Sequence, residues 1–137
     1  MEIAPYLIFN GNCKAAFQFY EQLLGGKIEF MMTYGESPTA AETPPEIRDN
    51  IIHVRMTVRG QTLMGSDAHG GPYERPQGVW ISLSVDSAAE AERIFKGLVE
   101  NGSTVMPLAK TFWAERFGMC VDRFGALWMV NAENKGA

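Results

Sequence analysis

The chain has 137 residues, with 12 basic and 16 acidic side chains and a formal charge of −4. Apolar residues make up 46% and charged residues 20%, a globular composition that excludes an intrinsically disordered chain at a length that suits one domain. A pI near 5.2 argues against nucleic acid as a partner, since that binding is driven by basic charge, and no apolar run approaches the roughly 20 residues that cross a bilayer.

The opening Met1-Glu2-Ile3 lacks the basic and apolar regions of a signal peptide, so a cytoplasmic location is expected. Cys13 and Cys120 stand in no CxxC or Cys/His cluster, which signals neither a zinc site nor a redox pair. Both read as buried thiols.

In chain order, Ala4 to Phe9 predicts a strand, Asn10-Gly11-Asn12 a polar corner, and Cys13 to Leu24 a helix ending at Gly25-Gly26. The apolar stripe of that helix is Ala16, Phe17, Tyr20, Leu23 and Leu24. A strand follows over Lys27 to Tyr34. Gly35 to Asn50, with three prolines and four acidic residues, is expected to be a solvated acidic loop. Ile51 to Val58, a turn at Arg59-Gly60 and Gln61 to Asp67 predict a hairpin.

The same order then recurs. Val79 to Val85 predicts a strand and Asp86-Ser87 an N-cap. A helix follows over Ala88 to Glu100 with Ala91, Ile94, Phe95 and Leu98 inward. A short strand near Thr104-Val105-Met106 precedes a second hairpin, Trp113 to Val121 and Ala126 to Ala132, around Asp122-Arg123-Phe124-Gly125. Gly60 and Gly125 align as turn glycines, which pairs Met64 with Met129. The fold class read from this pattern is α+β, two tandem βαβββ modules. Module one covers about residues 1–67 and module two about 78–137, joined by a Gly/Pro-rich linker over about 68–77 within a single domain.

A tandem βαβββ chain of this size resembles the vicinal oxygen chelate superfamily, the glyoxalase, bleomycin-resistance and dioxygenase group. Within it the chain is most similar to the PhnB-like (YjdN-like) branch. The residues that carry the likeness are Pro5 to Cys13, Met64-Gly65-Ser66-Asp67, Thr111 to Gly118, and Asp122-Arg123-Phe124-Gly125 with Trp128-Met129. The resemblance implies cupped mixed sheets with helices outside and a divalent metal held from the first and fourth strands of each module. A homodimer is expected because open sheet edges and the late aromatics Phe112, Trp113, Phe117, Phe124 and Trp128 need covering. Aligned on this sequence, those positions are Pro5, Met64, Trp80 and Met129. None is a ligand suited to zinc, nickel, manganese or iron, so no metal and no cofactor are expected.

With the first strand anchored on Pro5, alternation sets Leu7 and Phe9 on the cup's inner face, with Trp80, Ser82 and Ser84 from the fifth strand. His53, Arg55 and Thr57 join them from the third strand, and Arg116, Gly118 and Cys120 from its counterpart. The expected ligand-binding set is Phe9, His53, Arg55, Met64, Trp80, Ser82, Arg116 and Met129, apolar walls with convergent polar groups, as small-molecule pockets show. Other readings stay open. His53 and Arg55 also suit a solvent-facing sheet, Trp80 and Met129 also suit a core, and Asp122 and Asp67 suit turn caps.

No GxGxxG, GxSxG or P-loop is present, which removes the usual nucleotide-site, hydrolase and NTPase readings. PhnB-like proteins are often labelled as ubiquinone-pathway methyltransferases, yet the chain has no glycine-rich strand-helix turn for S-adenosylmethionine. The expected function is binding of a small anionic or aromatic molecule in a dimer. The alternative is a lyase, isomerase or dioxygenase of the same superfamily with a metal site rebuilt from residues such as His53 and Asp67.

Overall fold

A computed structural model describes residues 1–69 and 71–133. The chain divides into two compact units, Met1–Glu74 and Arg75–Ala137, each a four-stranded mixed sheet with one helix on one face. In the first unit β1 (Tyr6–Phe9), α1 (Cys13–Leu24), β2 (Lys27–Thr33), β3 (Ile51–Val58) and β4 (Gln61–Asp67) form a sheet of order β1-β4-β3-β2. In the second, β5 (Ile81–Val85), α2 (Ala88–Val99), β6 (Ser103–Ala109), β7 (Ala114–Val121) and β8 (Leu127–Glu133) repeat the order as β5-β8-β7-β6. β1 runs parallel to β4 and β5 parallel to β8; the other pairs are antiparallel.

Each helix buries the stripe that its spacing predicts. α1 buries Cys13, Ala16, Phe17, Tyr20 and Leu24, and α2 buries Ala91, Ile94, Phe95 and Leu98. Gly25 closes α1 in the left-handed conformation at φ +69°, where glycine carries no Cβ penalty. Ser87 caps α2 by accepting the Glu90 N–H at 3.1 Å. Beneath α1 lie Phe9, Val54, Met56 and Gly65. A Cβ on Gly65 would come within 2.8 Å of both the Leu7 carbonyl and the Phe17 ring. Gly118 plays the same part under Phe95 of α2.

Two expectations about loops and strands change. Residues 34–50 are a folded excursion with three 3-10 turns, Tyr34–Glu36, Ala40–Glu42 and Pro45–Ile47, and with Tyr34, Ser37 and Thr43 buried. A capping box between Thr33 and Glu36 starts it. β6 is seven residues long rather than a short piece, with register shifts on either side of Met106. It tolerates Pro107 because it lies at the sheet edge, where a missing N–H costs no ladder bond.

Candidate functional site

The sheet face that α1 leaves uncovered in the first unit gathers polar and aromatic side chains. Tyr6 stands opposite Met64, and Met64 stands opposite Arg55, so β1, β4 and β3 present these three side by side. The Tyr6 hydroxyl lies 3.0 Å from His53 Nδ1, with the rings stacked at 5.6 Å. Either the phenol donates to Nδ1, leaving the imidazole proton on Nε2, or Nδ1–H donates to the phenol oxygen. Phe30 of β2, the cross-strand neighbour of Arg55, brings its ring to 5.8 Å from His53.

Arg55 is the cation of this face. Its Nη1 donates to the Met64 sulfur at 3.7 Å, and its Nη2 donates to Glu2 Oε2 at 2.9 Å and to Thr62 Oγ1 at 3.3 Å. Thr62 also donates to Glu2 Oε2, at 2.9 Å. The bond from Arg55, then that from Thr62, holds the Glu2 carboxyl below the usual carboxylate range.

Beyond Tyr6 and Met64 the same face continues through Ile8 and Ser66 to a concavity of about 300 Å³ lined by Ile8, Tyr34, Ser66, Asp67, His69 and Pro72. It lies at the carboxyl ends of the parallel pair β1 and β4. The Tyr34 hydroxyl donates to the Asp67 carbonyl at 3.0 Å, and its ring lies 4.8 Å from that of His69. Burial first, and the Asp67 charge second, push the Tyr34 hydroxyl's pKa up.

Of the expected site residues in this unit, His53, Arg55 and Met64 share the open face. Phe9 does not. It is 2% exposed and meets Phe17 of α1 edge to face at 6.0 Å, because the register pairs Tyr6, not Pro5, with Met64. Anchoring β1 on Pro5 was therefore one residue out, and that error turns a strand over. Tyr6 and Ile8 take the places expected for Leu7 and Phe9.

In the second unit, described by itself, Ser82 pairs with Met129 and Met129 with Met119 on the open face. Trp80 immediately precedes β5, at the position whose alternation matches Ser82. Arg116 is a correction. Its Nε donates to Glu92 of α2 at 3.1 Å, and Gly118 and Cys120 follow it on the helix side. Phe117 and Met119 take the open face instead. The cause is turn length: two residues separate Val58 from Gln61, whereas five separate Val121 from Leu127. The odd difference reverses β7 relative to the internal repeat.

Sequence reasoning missed Thr62, Phe30 and Glu2. Alternation from Met64 puts Thr62 on the open face, so that signal was available. The other two depend on contacts between segments distant in sequence.

The divalent metal that the resemblance implies does not fit these residues. The paired open-face positions hold Tyr6 with Met64 and Ser82 with Met129, a phenol, a hydroxyl and two thioethers in place of imidazoles and carboxylates. Asp67 is committed elsewhere, because its Oδ1 accepts the Cys13 N–H at 3.0 Å and its Oδ2 the Ile51 N–H at 2.8 Å. Among the described residues no group of three or more His, Cys, Asp or Glu side chains comes together as a ligand cluster. The thiols are poor ligands as well. Burial, reinforced by the charge of Asp67, pushes Cys13 far up, and burial with Asp122 pushes Cys120 up to about 12.

A family model described as 3-demethylubiquinone-9 3-methyltransferase matches residues 1–131. The chain belongs to that family. Protein YjdN of Escherichia coli (strain K12) is 32% identical over 139 residues, covering 96% of this chain and 95% of that one. The crystal structure of protein PA1353 from Pseudomonas aeruginosa superposes with a TM-score of 0.90 at 54% identity, covering 97% and 98% of the two chains. A glyoxylase/bleomycin resistance protein/dioxygenase domain from Frankia sp. EAN1pec superposes with a TM-score of 0.66 at 12% identity over 99% and 92%, a likeness of fold alone. The chain thus sits in one family with the YjdN-like relatives, and its α+β architecture of tandem βαβββ units is the fold of the glyoxylase/bleomycin resistance protein/dioxygenase domain.

Proposed function

We propose that this PhnB-like chain is a homodimeric binder of a small molecule with an acidic group, working without the superfamily's metal. The observation that carries the reading is Arg55. Its guanidinium lies on an uncovered sheet face beside Met64, with Phe30 as its cross-strand neighbour and Tyr6 on the far side of Met64. A planar fork with fixed donors suits a carboxylate or phosphonate, and the flanking rings offer apolar area for the rest of a ligand. His53, joined to Tyr6, adds a ring nitrogen that can donate or accept. The family description names a demethylubiquinone, a ring compound, and methyl transfer. The β1–α1 corner, Asn10-Gly11-Asn12, has a single glycine and no glycine-rich turn for a nucleotide-like methyl donor, so binding of an acidic aromatic molecule is favoured over group transfer.

The test is a thermal-shift screen of small carboxylic and phosphonic acids against wild type and Arg55→Met. The methionine keeps the stem's packing and removes the fork. Acids that stabilise wild type are expected to lose most of their effect in the variant. Identical responses of both proteins to every acid would remove Arg55 from the site and overturn the reading.

A further inference from the structure

Glu2 sits on Arg55 as a ligand's acid would. One oxygen, Oε2, accepts from Arg55 Nη2 at 2.9 Å and from Thr62 Oγ1 at 2.9 Å, so a guanidinium and a hydroxyl from adjacent strands converge on a single carboxylate oxygen. Little else holds the segment that carries Glu2. Its neighbours Met1 and Ile3 are exposed at 118% and 93%, and the ion pair itself is open to solvent, with side-chain exposures of 38% and 50%. Exposed pairs of this kind are weak, and a segment with few buried apolar contacts opens readily. By contrast the seat is part of the sheet. Arg55 is fixed between Phe30 and Met64 by its cross-strand pairing, and Thr62 is two residues from Met64 on the same strand. Cross-strand neighbours lie within reach of aromatic side chains, so the cluster of Phe30, His53 and Tyr6 begins beside the seat.

We infer that Arg55 and Thr62 form a carboxylate seat, that Glu2 is its intramolecular occupant, and that an aryl or arylalkyl carboxylate binds by displacing Glu2 and laying its ring against Phe30, His53 and Tyr6. The inference rests on the acid-binding reading above and goes further, naming the ligand class, a second seat residue and an internal competitor.

The experiment is an NMR titration of acetate, benzoate and phenylacetate against wild type, Glu2→Ala, Arg55→Met and Thr62→Val, with amide spectra showing that each variant is folded. Benzoate and phenylacetate are expected to bind wild type more tightly than acetate. They should bind Glu2→Ala about two- to five-fold more tightly still, the gain from removing a competitor held by an exposed ion pair. Arg55→Met and Thr62→Val should weaken both. Acid binding that Arg55→Met weakens but Glu2→Ala leaves unchanged overturns the competitor while sparing the acid-binding reading. Acetate binding as well as benzoate overturns the ring contact, and an unaltered affinity in Thr62→Val removes the second seat residue. No binding by wild type or Glu2→Ala, or equal binding by all four proteins, overturns both the inference and the reading beneath it.

Discussion

The buried carboxylate of Asp67 accepts the backbone N–H of Cys13 at 3.0 Å, so the end of β4 caps the first turn of α1. The local N-cap, Asn12, makes no side-chain cap bond of its own, and the cap comes from a residue 54 positions away. With the other oxygen on the Ile51 N–H at 2.8 Å, one side chain fastens three elements. Asp67→Asn replaces an acceptor with an NH2 group that faces a backbone donor. The expected loss is about 1–3 kcal/mol, read as a lower urea midpoint. An unchanged midpoint would show that water substitutes freely for the carboxylate.

Asp122 performs the corresponding service in the second unit. Its Oδ1 accepts the N–H groups of Phe124 and Ala126, each at 2.9 Å, and its Oδ2 accepts Trp128 Nε1 at 2.8 Å. Trp128→Phe keeps most of the ring's burial and strands that oxygen among buried groups. A cost of about 1–3 kcal/mol is expected, and Asp122→Ala should cost more because the turn loses both of its backbone bonds as well. Equal losses in the two variants would contradict this division.

Gly65 sits where a side chain has no room. Gly65→Ala would drive a methyl group into the Leu7 carbonyl and the Phe17 ring and should destabilise by about 1–3 kcal/mol through overpacking. Gly60→Ala, at φ +80° with open space around it, should suffer only from backbone strain. Comparing the two by thermal unfolding separates a packing glycine from a turn glycine.

Cys120 couples stability to alkaline pH. Burial, with Asp122 second, pushes its thiol from 9.0 up to about 12. A raised pKa means that the folded state keeps a proton which the unfolded chain releases. The contribution is therefore fully present below about pH 9 and is lost as pH rises toward about 12. Wild type should lose stability over that window more steeply than Cys120→Ala, measured as urea midpoints at stepped pH. Parallel profiles would mean that the thiol titrates alike in both states.

The dimer is predicted from the second unit. β6 is a sheet edge, Val105 and Met106 on it are exposed, and Phe112 and Trp113 project at 91% and 49% exposure with their rings 4.7 Å apart. A symmetric interface would cover both the edge and the rings. Light scattering should report about twice 15.2 kDa for wild type and a shift toward monomer for Trp113→Glu. Monomeric wild type at micromolar concentration would refute the assignment.

The tandem βαβββ order was legible in the sequence because its signals are local. Residues 16, 17, 20 and 24, and later 91, 94, 95 and 98, mark helix faces at the 3.6-residue period, and Gly25, Gly60 and Gly125 stop or turn the chain where φ is positive. Alternation in β3 likewise placed His53 and Arg55 opposite the buried Val54 and Met56. Which way β1 and β7 face was decided only by the tertiary structure. Tyr6-Leu7-Ile8-Phe9 is apolar at every position, so it has no period to read, and the pairing of Tyr6 with Met64 chose its inner set. In β7 the five-residue turn, against two in the first unit, reversed the face that internal repetition implied. The Asp67 cap and the Glu2–Arg55 contact link residues 54 and 53 positions apart; such pairs leave no periodic trace, because they form only when sheet register brings distant strands side by side.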